Sequence, residues 1–159
     1  WREKHMSIIR QSFLKSKFKN DVLEIVEKVY SKKFDTINEL NIYAFELIAN
    51  YFDYSKDFIL SSSLDINSNS SQRLLDITNA LNGKKYITGL GALKYIDYSI
   101  FEDDKISLEY MKYNLNIYKQ QFLNFTPYVT ILDLIANEGK GGINYVSSKS
   151  IYWKDFIDE

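Results

Sequence analysis

Three short apolar runs, separated by segments of helical periodicity, constrain the fold of this chain more than any other feature. They are "DFILSSSL" (57–64), "KYIT" (85–88) and "ISLEYMKY" (106–113). The first, compact and closed by serines, reads as a buried strand; in the last, Ile106, Leu108 and Tyr110 alternate. Leu74, Leu75, Ile77, Thr78 and Leu81 fall at helical spacing between the first two, with Gly83 as the C′ stop. Ala92, Leu93, Tyr95 and Ile96 mark a shorter helix between the second and third. Strand, helix, strand, helix, strand is the pattern of a parallel sheet with crossover helices. The expected fold is α/β: a helical N-terminal third followed by a βαβαβ parallel sheet, Rossmann-like and incomplete without upstream strands.

The helical third is built on Met6, Ile9 and Phe13, then on Val22, Ile25, Val26 and Val29 behind Asn20 and Asp21. Thr36 and Glu39 form a capping box that opens a third helix through Ile37, Leu40, Ala44, Leu47 and Ile48. Further on, Pro127 and the Thr130/Asp133 pair give two helix starts about a turn apart, and Gly139 gives the stop. The tail "INYVSSKSIYWKDFIDE" lacks strong periodicity and is expected to pack loosely or against a partner.

A chain of 159 residues, 45% hydrophobic and 26% charged, is expected to fold as one α/β domain over 1–159. The net charge is −1 and arginine occurs only at positions 2, 10 and 73, so no basic field exists for a long nucleic acid. The lysines between Lys15 and Lys19 are followed at once by Asp21, Glu24 and Glu27 and read as a solvated helix end. The lack of cysteine excludes disulfides, thiolate metal sites and cysteine nucleophiles, and fits a cytoplasmic protein. No apolar run approaches the length of a membrane span. The chain opens at Trp1 without a Met, so upstream sequence is expected.

Several residues could carry chemistry, and each has a structural alternative. Gly89 and Gly91 follow a strand and precede a helix, as a phosphate-cradling turn would, but Lys94 stands where a third fingerprint glycine belongs. The pair is either an anion contact or only a tight turn. Glu109 lies about 20 residues on, the separation of a ribose contact, yet inside a strand. Arg73 begins a helix, where it could clamp a carboxylate or phosphate or pair with Asp76. Ser61, Ser62 and Ser63 sit where α/β proteins place ligands, or simply end a strand. Tyr118, Gln120 and Gln121 offer polar groups for a sugar or amide, or lie along an amphipathic segment. Asp133 is a proton acceptor or a helix N3 residue. His5 is the only histidine, so any Ser-His-Asp triad must use it, and a zinc site is disfavoured.

Taken in order, "WREKH", "SSSL", "SQRLLDI", "YITGLGALKYI", "YNLNIYKQ" and "FTPYVTILDLIANEG" resemble the WbqC-like family of bacterial proteins. Asn116 stands where the family has proline, Thr130 where it has serine, and Ala136 where it has a bulkier apolar residue. The resemblance implies a role in O-antigen, lipopolysaccharide or other surface polysaccharide biosynthesis, on a sugar precursor. It also implies that this chain corresponds to the C-terminal part of such a protein. Carried over onto matching positions, it gives a candidate pocket of Ser62, Arg73, Gly89, Gly91, Tyr95, Tyr118, Gln120, Asp133 and Asn137. The expected activity is that of a transferase-like enzyme acting on an amino-sugar or nucleotide-sugar intermediate, with Asp133 as proton acceptor. The alternative is a non-catalytic binding or assembly module of the same pathway. The residues name no cofactor, no metal and no oligomeric state.

Overall fold

The computed structural model describes residues 1–54, 58–122 and 124–157. Its helices are α1 (Arg2–Ser12), α2 (Lys19–Ser31), α3 (Ile37–Tyr51), α4 (Ser70–Ala80), α5 (Tyr98–Asp103), α6 (Ile131–Glu138) and α7 (Trp153–Ile157). The strands are β1 (Lys85–Thr88), β2 (Ser107–Tyr113) and β3 (Ser148–Tyr152), and short 3-10 segments span Ser61–Ser63, Leu90–Lys94 and Gly139–Tyr145. The α/β class is as expected. The chain divides into two compact units, one of Trp1–Lys56 with Leu115–Ser147, the other of Asp57–Asn114 with Ser148–Glu159.

The first unit is helical because its apolar residues recur at helical spacing and its helix starts are capped. Val22, Ile25, Val26 and Val29 form one buried stripe along α2. Three of them join Met6 of α1 with Ile135 and Ala136 of α6 in a single core. Burying each such Val or Ile side chain contributes about 1.5–3 kcal/mol. Thr36 Oγ1 accepts the Glu39 N–H (3.2 Å), and Glu39 Oε2 reaches back to the Asp35 N–H (3.0 Å), one residue beyond the usual box. Thr130 Oγ1 accepts the Leu132 N–H (3.3 Å), which settles the two competing starts: α6 begins at Ile131, and Pro127 lies outside it.

Gly139 ends α6 for two reasons. Its φ is +59°, a left-handed conformation that L side chains rarely adopt, and its N–H returns to the Ile135 carbonyl. A Cβ there would lie 2.7 Å from Cδ1 of Phe18.

The second unit is a three-stranded sheet in the order β1-β2-β3. β1 pairs parallel with β2, from Lys85 opposite Ser107 to Thr88 opposite Tyr110. β3 pairs antiparallel with β2, from Glu109 opposite Tyr152 to Tyr113 opposite Ser148. The sheet is therefore mixed, which corrects the all-parallel, Rossmann-like expectation in two places. The expected first strand is absent over 58–64: residues 58–60 carry no strand and Ser61–Ser63 is a 3-10 turn, while Asp57 lies outside the described residues. The Arg73 guanidinium donates to the carbonyls of Ser61 (3.1 Å), Ile66 and Ser68 (3.5 Å), and of these the Ser61 carbonyl lies within the expected strand, where a ladder would use it. The remaining strand comes instead from the tail expected to pack loosely, which supplies β3 and α7.

The core of this unit is aromatic. Phe101, Leu108 and Tyr110 are fully buried, Tyr98 stacks on Trp153 (centroids 4.1 Å apart), and the Tyr98 and Tyr110 hydroxyls share a hydrogen bond of 2.9 Å. Helix α4 ends in a Schellman motif one residue earlier than read from Gly83. Asn82 takes the left-handed position (φ 54°) and the Gly83 N–H reaches the Thr78 carbonyl (2.7 Å). Gly83 is still required, since a Cβ there would meet Thr78 Cγ2 at 2.8 Å.

Gly139→Ala is expected to destabilise the first unit by about 1–3 kcal/mol, through backbone strain and the clash with Phe18. Gly91→Ala, with open space around its Cβ position, is expected to stay within about 0.5 kcal/mol. Urea denaturation of the two variants checks the contrast.

Candidate functional site

Helix α6 organises the polar part of the first unit. Asp133 is its N3 residue, its N–H bonded to the Thr130 carbonyl (3.0 Å), which directs its side chain back over the first turn. There Asp133 Oδ2 accepts from the Tyr118 hydroxyl (2.7 Å) and from Gln120 Nε2 (3.0 Å). Gln120 uses its whole amide: Nε2 also reaches the Thr126 carbonyl (2.9 Å), and Oε1 accepts the Thr126 N–H (2.9 Å). The side chain thus closes the loop from 120 to 126 as a neighbouring strand would. The Tyr118 ring meets Phe125 and Tyr145 edge-on.

Burial pushes the Tyr118 phenol up to about 12; the Gln120 hydrogen bond works against this, and the Asp133 hydrogen bond and charge add to it. At neutral pH the phenol is therefore a donor to Asp133. In this arrangement Asp133 orients two side chains.

One turn further along α6, Asn137 Nδ2 donates to the Asp133 carbonyl (2.8 Å) and its Oδ1 faces the Ser16 hydroxyl (3.3 Å). Ser16, only 7% exposed, also faces Gln121 Oε1 (3.3 Å), which accepts the Lys15 N–H (3.2 Å). A serine has one hydroxyl proton, so it satisfies only one of these two carbonyls at a time. Among the described residues the Gln121 Nε2 amide has no partner. These groups border a cleft of about 500 Å³ lined by Lys15, Ser16, Lys17, Phe18, Lys119, Gln120, Gln121, Asn137 and Glu138. Its volume is that of a small-molecule site.

Four candidate residues thus come together in the first unit: Tyr118, Gln120, Asp133 and Asn137. The other five lie in the second unit. Arg73 directs Nη1 and Nη2 to carbonyls of the Ser61–Ser68 loop and does not pair with Asp76, which is held below the usual carboxylate range by Ser68 and Gln72. Ser62 is exposed within the 3-10 turn, and Tyr95 is exposed after the Leu90–Lys94 segment. Gly89 and Gly91 have nothing within 4 Å of a Cβ position and no positive φ, so a tight turn does not require glycine at either.

Glu109 is nearly buried on β2. Burial alone would raise its pKa, but hydrogen bonds from Lys85 (2.7 Å), Ser150 and Ser107 outweigh that and hold it below the usual range. Its oxygens are occupied from within the sheet, so its contacts are structural. His5 bonds the Tyr30 hydroxyl (3.3 Å) and meets Trp1 edge-on, within an aromatic cluster. Among the described residues no three His, Cys, Asp or Glu side chains gather as a metal site requires, and no helix is long and apolar enough to cross a membrane.

Sequence reasoning offered Gln121 as a pocket amide but missed Lys15, Ser16, Lys17 and Lys119 as cleft residues. The lysine run was visible, but its meeting with residues more than a hundred positions away was not.

A model of the WbqC-like protein family matches residues 1–145. The chain belongs to this family. A relative from Mycobacterium tuberculosis (strain ATCC 25618 / H37Rv), called "Uncharacterized protein Rv1507c", is 22% identical over 148 residues. That alignment covers 92% of this chain and 64% of the relative, so the WbqC-like chain spans less than two thirds of the relative's length. No solved structure matches it. The family match includes α6 and both sides of the polar cleft.

Asp133→Asn removes the charge and replaces the carboxylate acceptor by a weaker amide one, reducing two effects that raise the Tyr118 pKa, and leaves the burial. The phenol should then titrate below about 12 but still above its ordinary value of about 10. In the native chain this tyrosine stabilises the fold up to about pH 10, where the unfolded phenol ionises, and that contribution is lost towards pH 12. Tyrosine-selective carbon-13 titration, with Tyr118→Phe to assign the signal, measures both.

Proposed function

We propose that this WbqC-like chain is the ligand-handling part of a cytoplasmic, transferase-like enzyme of bacterial surface polysaccharide (O-antigen, lipopolysaccharide) biosynthesis, acting on an amino-sugar or nucleotide-sugar intermediate. The observation that carries the reading is the polar cleft. It is of small-molecule size, and the Ser16 hydroxyl and the amides of Gln121 and Asn137 present both donors and acceptors, as sugar recognition requires. Tyr118, Gln120 and Asp133 fix the loop that bears Lys119 and Gln121, so that wall is formed before a ligand arrives. The pathway is what resemblance to the WbqC-like family implies.

In this reading Asp133 positions its neighbours, and the roles of Ser62, Gly89, Gly91 and Tyr95 rest on the open space around the glycine pair, which lets a ligand approach the backbone. Arg73 would act only by shaping the 61–68 loop.

A second reading, a non-catalytic assembly module of the same pathway, draws on the segment 115–129. Ile117, Phe122 and Tyr128 there are 75%, 74% and 92% exposed.

The test is a thermal-shift screen of the chain against nucleotides, nucleotide sugars and acyl-CoA. A ligand at about 100 times its Kd stabilises by about 2.7 kcal/mol. The expected outcome is a shift for a nucleotide sugar that Gln121→Leu abolishes. No shift with any of these, together with a co-purifying pathway protein, would replace the enzyme reading by the assembly module.

A further inference from the structure

Charge around the cleft is unbalanced. Lys15, Lys17 and Lys119 line it, against the single carboxylate of Glu138. Among the described residues none of the three ammonium groups makes an ion pair, although Lys28, Lys85, Lys140 and Lys154 all do. Lys17 Nζ instead stands 4.9 Å over the Phe18 ring, a contact that leaves its protons for another acceptor. Like charges carried by residues that line one concavity repel each other, and that repulsion is relieved when an anion binds among them.

The cleft wall adds a directional donor. The Gln121 side-chain carbonyl accepts the Lys15 N–H and shares the Ser16 hydroxyl proton with Asn137, which orients the amide and leaves its NH₂ without a protein acceptor among the described residues. Lysines supply field and an amide supplies direction, the combination that suits phosphate oxygens. The net charge of the whole chain is −1, so this local excess of positive charge is a property of the cleft.

We infer that the cleft binds an anionic group of phosphate or diphosphate type, through Lys15, Lys17, Lys119 and the Gln121 amide. This moves the anion site away from Arg73 and the glycine pair, where the sequence had suggested it. The inference rests on the cleft being the ligand site, and names the part of the ligand that enters it.

The experiment is a titration of the full chain with inorganic pyrophosphate, and separately with the neutral sugar N-acetylglucosamine, followed by proton–nitrogen NMR. Pyrophosphate is expected to shift the amides of Ser16, Lys17 and Gln121 saturably. Lys17→Glu combined with Lys119→Glu should weaken it by about tenfold or more, and raising the ionic strength to about 0.15 M should weaken it as well. Lys84→Glu, a charge reversal in the other unit, serves as the control and should leave the affinity unchanged.

Pyrophosphate binding that the double reversal does not weaken overturns the assignment. If the sugar shifts these amides and pyrophosphate does not, the cleft remains a ligand site and its anionic class is wrong. If neither shifts them, both the inference and the reading beneath it fall.

Discussion

The backbone hydrogen bond from the Phe18 N–H to the Ala136 carbonyl, 2.9 Å long, joins the start of α2 to the end of α6. Most of the first unit depends on that junction. Phe18 fills the space that a side chain at position 139 would need, while Ile135 and Ala136 are wholly buried against α1 and α2. With α6 held there, its two polar residues project from fixed points: Asp133 towards Tyr118 and Gln120, Asn137 towards Ser16. The cleft inherits its precision from the packing beneath it, because rotamers locked by a close-packed core do not need a ligand to order them.

Local signals were legible in the sequence wherever they were complete within a few residues. Thr36 with Glu39, Thr130 before Ile131, and the stripe from Val22 to Val29 each carry their own physical reason, and each appears in the fold. "KYIT" and "ISLEYMKY" were legible as strands because β-branched and aromatic residues suit a pleated surface. "DFILSSSL" misled because a short apolar run has the same appearance whether or not a ladder takes its backbone groups. The fact that Arg73 binds the Ser61 carbonyl lies twelve residues further on. "SKSIY" was missed for the opposite reason: its polar residues conceal a strand whose pairing partner on β2 is far away in the chain.

The same distinction governs the site. Tyr118, Gln120 and Asp133 were offered by the residues themselves and Asn137 by the resemblance, and the four do come together, within one unit. Lys15 and Ser16 lie more than a hundred residues from the Gln121 and Asn137 side chains they meet, and no short motif records such a meeting. Lys15 and Lys17 read as solvated because acidic residues follow them closely. In the fold those acids go elsewhere: Glu27 to Arg10, Glu24 to Lys28 and Asp21 to the Tyr51 hydroxyl.

The register of β2 against β3 has a consequence for how the chain folds. Tyr113 and Ser148 are paired residues in the second unit, so Leu115–Ser147, which belongs to the first unit, lies between two points of the chain that are pinned side by side. Pinning the ends removes part of the entropy that this stretch would otherwise lose when α6 docks onto α2, as a covalent crosslink would. The converse also holds, since docking shortens the tether that brings β3 to β2. Each unit thereby lowers the entropic cost of forming the other, and this cooperativity comes from the threading of the chain alone.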